Sequence, residues 1–258
     1  MGIRERILLS ISRAPEGDGL RQADSAISID HALDDLKWAF PNLGALVSGK
    51  RVVDFGCGVG LQSIALVREF GCSVVGVDSN GATLEKAKGN AKVHNVSSDD
   101  LSFVPSLSPD LLGSIDVVIS QNSFEHFADP ASVLEEMGRL LNDLGIVLIS
   151  FGPPWLAPYG SHMRFFCKVP WINVLFPEEV VMKVRNRYRN DGAVRYEDVE
   201  SGLNKMTVAK FEALVSSCNL KITHRDYECV KGINALAKAP LLREFFISNV
   251  AAVLSKSG

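Results

Sequence analysis

No run in this chain approaches the roughly 18 consecutive apolar residues that a membrane-spanning helix requires. Near the N-terminus the longest apolar run is Ile7-Leu8-Leu9, too short for the core of a secretory signal. Cysteine is sparse. Cys57, Cys72, Cys167, Cys218 and Cys229 are odd in number, scattered, and never spaced as CxxC. Neither a disulfide framework nor a zinc site fits that pattern, so a metal-free protein of a reducing cytoplasm is expected. A surplus of positive charge is missing too: 27 Lys and Arg stand against 30 Asp and Glu, a formal net charge of −3. Such a balance leaves no electrostatic footprint for nucleic acid. Internal repeats and low-complexity tracts are absent. What is left is a soluble, globular reading of 258 residues, 47% of them hydrophobic, enough for one large α/β domain with additions or two small ones.

One stretch organises the rest: Val52-Val53-Asp54-Phe55-Gly56-Cys57-Gly58-Val59-Gly60-Leu61. It reads as a buried strand that ends on an acid, turns through three glycines and enters a helix. Glycine has no Cβ, so the backbone there reaches positive φ and lets a ligand approach closely. The helix that follows points its N-terminus at the same spot. A dinucleotide fingerprint wants glycine at the sixth position, where Leu61 stands, which argues against a nicotinamide-dependent oxidoreductase. The Gly-Lys-Ser/Thr of a phosphate-cradling P-loop is also missing.

Around that stretch, strands are expected at residues 51–55, 73–78, 101–104, 115–120 and 146–151. Helices are expected at 62–70, at 82–94, and after Asp129-Pro130, an N-cap followed by a first-turn proline. Alternation at this spacing means a parallel sheet with helices on both faces, and ligands bind beyond the carboxyl ends of such strands. Asp54, Asp78 and Ser120 to Ser123 fall there. Ahead of the core, Ile29, Leu33, Leu36 and Phe40 repeat at helical spacing, and residues 1–30 read as a loose arm contributing to a lid. After the fifth strand, residues 152–177 hold five prolines and two tryptophans and follow neither period. That segment should overhang the ligand crevice. A helix from Pro177 through Tyr188, a helix at 207–218 and strands at 220–230 and 249–254 complete the chain.

At this point the sequence resembles class I S-adenosylmethionine-dependent methyltransferases. The resemblance rests on residues 52–60, on Val75-Gly76-Val77-Asp78, on Ile115-Asp116-Val117-Val118-Ile119-Ser120, and on the helix end, turn and strand of residues 141–150. Gln121-Asn122-Ser123-Phe124-Glu125-His126-Phe127 is similar to the small-molecule branch that includes quinone-biosynthesis methyltransferases. The segment from Gly152-Pro153-Pro154-Trp155 to His162 is similar to that of a bacterial subgroup of sugar and glycan pathways. The resemblance implies a Rossmann-like, doubly wound, seven-stranded and mostly parallel sheet with an antiparallel last strand and an aromatic, proline-rich cap after strand five. It divides the chain into an arm and helix (1–44), a cofactor-binding core (45–151), a cap for the acceptor (152–205) and a closing helix and strands (206–258).

The implied cofactor is S-adenosylmethionine, with S-adenosylhomocysteine as product. Asp78, with Ser79 beside it, would take the ribose hydroxyls, and Gly56, Cys57, Gly58 and Gly60 would lie along the ribose and methionine part. Asp54 would hold the ammonium directly or through water, while Ser120, Gln121 and Asn122 line the methionyl end. Many relatives carry an acid after strand three for the adenine amine. Pro105-Ser106 stands there instead, which leaves Ser106 or backbone to make that contact. Methyl transfer from a sulfonium gains most from near-attack geometry, and a hydroxyl acceptor gains further from a base. His126 and His162 are the candidates; for His126, a loop-fixing hydrogen bond is an equal reading.

The expected acceptor is a hydroxyl of a small molecule or sugar, with no nucleic acid and no stable membrane insertion; a homodimer stays open, as does a non-catalytic S-adenosylmethionine-binding protein. Gly152-Pro153-Pro154-Trp155 is similar to the motif of nucleic-acid amino-methyltransferases, but it follows strand five rather than strand four. Lys183, Arg185, Arg187, Arg189 and Arg195 form a basic run expected to be solvated, the alternative being contact with an anionic acceptor.

Overall fold

The structure is a computed structural model and describes residues 1–13, 28–200, 202–239 and 242–257. The chain opens with helix α1 (Ile3–Ile11), and short helices α2 (Asp34–Ala39) and α3 (Leu43–Val47) precede the sheet. Then come β1 (Arg51–Phe55), α4 (Leu61–Phe70), β2 (Ser73–Val77), α5 (Gly81–Val93), β3 (Leu101–Val104), β4 (Ile115–Gln121), α6 (Pro130–Leu140) and β5 (Leu141–Phe151). The cap carries α7 (Ile172–Leu175) and α8 (Glu178–Arg185), and α9 (Val208–Ser217), β6 (Leu220–Cys229) and β7 (Ile247–Lys256) close the sheet.

The seven strands lie in the order β3-β2-β1-β4-β5-β7-β6. The first five pair in parallel, and β7 runs antiparallel to both β5 and β6. This is the Rossmann-like sheet the sequence implies, antiparallel last strand included. Runs such as Val52-Val53 and Val117-Val118 are apolar on both faces because both faces are covered. Val53, Val118, Leu134 and Phe211 belong to one core layer, under α6 and α9. Val52, Val117, Leu36, Ile64 and Leu84 belong to the other, under α2, α4 and α5. Each such side chain, fully buried, contributes roughly 1.5–3 kcal/mol. Leu8, Met163, Phe166, Val181 and Tyr196 form a third cluster inside the cap.

Three expectations need correction. The helix at 29–40 is split into a 3₁₀ turn at Ile29–His31 and α2, and Phe40 leaves the helix at φ −133° because the residue before Pro41 is barred from helical geometry. Helix α3 was not foreseen. The start of the supposed loose arm is α1, docked on the cap through buried Leu8, a Glu5–Arg187 ion pair of 3.2 Å and an Arg13 N–H bond of 2.9 Å to Phe166 O. Residues 14–27 of that arm lie outside the described residues. Finally, the basic run is not all solvated. Arg185 is 1% exposed, and its guanidinium forks onto both oxygens of Asp191 at 2.6 and 2.5 Å.

Candidate active site

The loop between β1 and α4 sits over the tip of β2. Gly56 and Cys57 both donate to Val77 O, at 2.8 and 3.1 Å. All three loop glycines are left-handed, with φ of 80°, 54° and 78° for Gly56, Gly58 and Gly60. Their roles differ. A Cβ on Gly56 would stand 2.7 Å from Ser123 Cβ, and one on Gly60 would overlap the Phe103 ring. These two serve packing between elements. A Cβ on Gly58 would meet nothing within 4 Å, so the loop opens to the crevice there.

Asp78 faces that opening. Its Oδ2 accepts from Gly58 N–H at 3.0 Å and its Oδ1 from Asn80 N–H at 2.8 Å. Each carboxylate oxygen keeps further lone-pair capacity, so the group is oriented but not saturated. Asn80 in turn caps α5 by accepting from Ala82 and Thr83 N–H. Ser79 is exposed beside Asp78, and Asp78 N–H bonds Val104 O at 3.3 Å, which brings the end of β3 and exposed Ser106 to the same side.

Asp54 lies deeper than the sequence reading placed it. It is 1% exposed, and its oxygens accept from Ser63 Oγ at 2.5 Å and Gln62 Nε2 at 2.9 Å. Burial pushes its pKa up to about 6 against those two hydrogen bonds, with the charge of Asp78 adding to the rise. Its charge underlies the loop rather than lining it. Cys57 is buried as well, and burial drives its thiol up, away from any thiolate role.

The end of β4 supplies the next wall. Ser120 is fully buried and lies 3.3 Å from Ser123 Oγ. Gln121 Oε1 is buried with no hydrogen-bond partner among the described residues. An orphaned acceptor of this kind marks a place for a donor. Asn122 is exposed and holds left-handed φ of 50°, fixed by its N–H bond of 2.8 Å to Ser150 O.

The structure brings the two histidines together. His126 and His162 meet edge to face, centroids 5.5 Å apart and planes at 85°. His126 Nδ1 lies 2.6 Å from Gly202 O; a carbonyl only accepts, so Nδ1 is the donating nitrogen of this pair. His162 approaches Pro153 O through Nε2 at 3.4 Å. Burial, and then the neighbouring His126, push His162 down to about 4 and keep it neutral.

Sequence reasoning missed Glu125. It is 4% exposed, accepts from Gly152 N–H at 3.3 Å through Oε1, and leaves Oε2 buried without a partner. Burial raises its pKa while His126 opposes the rise. The only signal is an acid set between Phe124 and His126 in a turn closed by Phe127. Asn204 clamps that turn, its N–H on Glu125 O at 3.0 Å and its side-chain amide on Phe124 O and Phe127 O, both at 2.9 Å.

With that geometry in place, the chain can be set beside known proteins. Residues 46–153 match the family described as a methyltransferase domain. Among curated relatives, a ubiquinone biosynthesis O-methyltransferase of Acinetobacter baylyi is 32% identical over 117 residues, 45% of this chain and 48% of that protein. One of Neisseria meningitidis is 31% identical over 124 residues, 46% of this chain and 51% of the relative. The chain thus spans about half the length of the curated relatives it matches. A solved geranyl diphosphate C-methyltransferase from Streptomyces coelicolor, in complex with Mg2+, geranyl diphosphate and S-adenosylhomocysteine, superposes with TM-score 0.56 at 13% identity over 99% of both chains. The likeness is one of fold, and it runs over nearly the full length of both chains.

Proposed function

We propose that this protein transfers a methyl group from S-adenosylmethionine to a hydroxyl of a small molecule or sugar, releasing S-adenosylhomocysteine. The observation that carries the reading is the Asp78 carboxylate, oriented by Gly58 and Asn80 N–H at the open point of a loop that lies inside the matched methyltransferase domain. A carboxylate so held accepts a ribose diol. Gly56, Cys57, Gly58 and Gly60 shape the bed for the nucleoside, with Ser79 and Ser106 on the adenine side. Ser120, Gln121 and Asn122 receive the methionyl end, where the orphan Gln121 Oε1 suits an ammonium donor. Buried Asp54 favours positive charge above it.

S-adenosylmethionine supplies a methyl group already activated as a sulfonium. What falls to the protein is alignment, exclusion of water and removal of the acceptor proton. His126 Nε2 takes that proton, since Gly202 O fixes the proton on Nδ1. His162, neutral and packed on its ring, holds it in place. In this division residues 1–44 are the arm and helix, 45–151 bind the cofactor, 152–205 receive the acceptor, and 206–258 complete the core sheet.

Thermal shift with S-adenosylhomocysteine and with NAD tests the cofactor: a rise with the first alone supports the reading, and a rise with NAD alone overturns it. Turnover of labelled S-adenosylmethionine across a panel of phenolic and sugar hydroxyl acceptors then tests the reaction. Cofactor binding with no turnover on any of them would favour a non-catalytic binding protein.

A further inference from the structure

Helix α1 shows an unusual outward face. Leu8 is buried against the cap and Glu5 pairs with Arg187, so the opposite side points away from the protein. On that side stand Ile3, Ile7 and Ile11, at 78%, 49% and 38% exposure. At about 100° per residue the three span an arc of roughly 80°. Arg4 falls about 20° beyond one edge of this stripe and Arg6 about 60° beyond the other. Both arginines are exposed, as is Arg13 after the helix.

The stripe does not stand alone. Arg4 lines a groove of about 500 Å³ together with Val174, Leu175 and Phe176, so α7 of the cap borders the start of α1. Val174 and Leu175 are exposed too, Leu175 at 62%. Six of the thirteen large hydrophobics exposed among the described residues, Met1 included, come from these two short segments. A soluble surface scatters such residues singly, whereas exposed apolar residues gathered on two neighbouring segments mark a docking face.

We propose that α1 and α7 form a docking face for an anionic lipid bilayer. The charge pattern selects this occupant. An apolar stripe edged on both sides by arginine is the arrangement of a helix lying in the membrane interface, its aliphatic side chains among the acyl chains and its guanidinium groups at the phosphates. The chain carries a formal net charge of −3, so general positive charge does not account for the attraction; it belongs to this face. The helix is nine residues long and lies on the surface instead of crossing it. The face is built from the N-terminal helix and the cap, so docking sets the cap against the lipid, and the inference does not depend on the methyltransferase reading.

Sedimentation of the full chain with vesicles of phosphatidylcholine alone, and of phosphatidylcholine with phosphatidylglycerol, tests it. The expected result is binding to the anionic vesicles only, weakened by salt. Ile3→Ser with Ile7→Ser, and separately Arg4→Glu with Arg6→Glu, should each lower the bound fraction about tenfold while the thermal melt stays unchanged. No binding to anionic vesicles overturns the proposal, as does binding that survives both double substitutions. A dimer in analytical ultracentrifugation that Ile7→Ser with Leu175→Ser converts to monomer overturns it in favour of a second copy of the chain.

Discussion

The ring of His162 meets that of His126 edge-on at 5.5 Å, and only His126 has a nitrogen fixed by a short bond to a carbonyl, 2.6 Å from Gly202 O. Under the proposed function the two divide the work. His126→Asn should lower kcat roughly 10²–10⁴-fold, the usual range for a lost general base, with S-adenosylhomocysteine affinity unchanged by calorimetry. His162 sits at about 4 and stays neutral through pH 5–8. His162→Asn should then keep the acid limb of the kcat–pH profile, and disappearance of that limb would transfer the base role to His162.

Asp78 is the anchor to test for the cofactor. Asp78→Ala removes the acceptor for Gly58 and Asn80 N–H and for the ribose diol together. Affinity for S-adenosylhomocysteine should fall by about 1–3 kcal/mol, roughly 5- to 150-fold in Kd. An unchanged Kd would take Asp78 out of the site.

The glycines of the loop should separate by function. Gly58→Ala meets open space and pays only left-handed strain, about 1 kcal/mol of stability. Gly60→Ala carries the same strain and overlaps Phe103 as well, for about 3 kcal/mol or more. Urea denaturation of the two variants compares them directly, and equal losses would contradict the assignment.

In the cap, Asp191→Ala strands the Arg185 guanidinium, 1% exposed, without its fork partner. Losing one member of a buried pair costs about 3–5 kcal/mol. Asp191 is itself partly exposed, so the lower end is expected, read as a fall in the urea midpoint. Arg185 holds the Asp191 carboxyl down at about 2, below its ordinary 3.8. The contribution of the pair is present above about pH 4 and fades as pH drops through 2.

Stability between pH 4 and 6.5 should reflect opposing groups. His162 has a folded value near 4 against an ordinary 6.5, so the unfolded chain binds its proton first and stability rises with pH across that window. Asp54, near 6 against 3.8, does the reverse, and Glu125, raised as well, adds to its side. His162→Asn keeps a side chain that tolerates the left-handed backbone at φ 55° and deletes the rising contribution. The unfolding free energy of this variant should fall more steeply than that of the wild type from pH 4.5 to 6.5, by up to about 3 kcal/mol. Parallel curves would show that His162 titrates normally.

Much of this molecule was legible in the residues. Hydrophobic runs ending on Asp54 and Asp78 mark parallel strand tips, and Asp129-Pro130 marks a helix start, because those signals are local. What was not legible depends on distant packing. Glu125 reads as a loop acid until Gly152 and Asn204 close over it. Arg185 reads as one member of a solvated run, since its partner Asp191 lies across a turn that spacing does not reveal. Asp54 reads as holding the ligand's ammonium directly or through water, and spacing alone does not reveal that Gln62 and Ser63, on the first turn of α4, fold back onto it. Helix α1 is too short to stand by periodicity and forms because the cap takes Leu8.

The clamp at the end of the cap bears on how such proteins can be recombined. Gly202, Asn204 and Met206 bond His126, the turn at 124–127 and Trp155 N–H in one short run. A chimera that trades acceptor walls between relatives should therefore be spliced ahead of residue 202, leaving 202–206 with the recipient. Cut behind that run, the graft would import a foreign support for the His126 ring along with the new wall, and a change of substrate could no longer be told apart from a loss of catalysis.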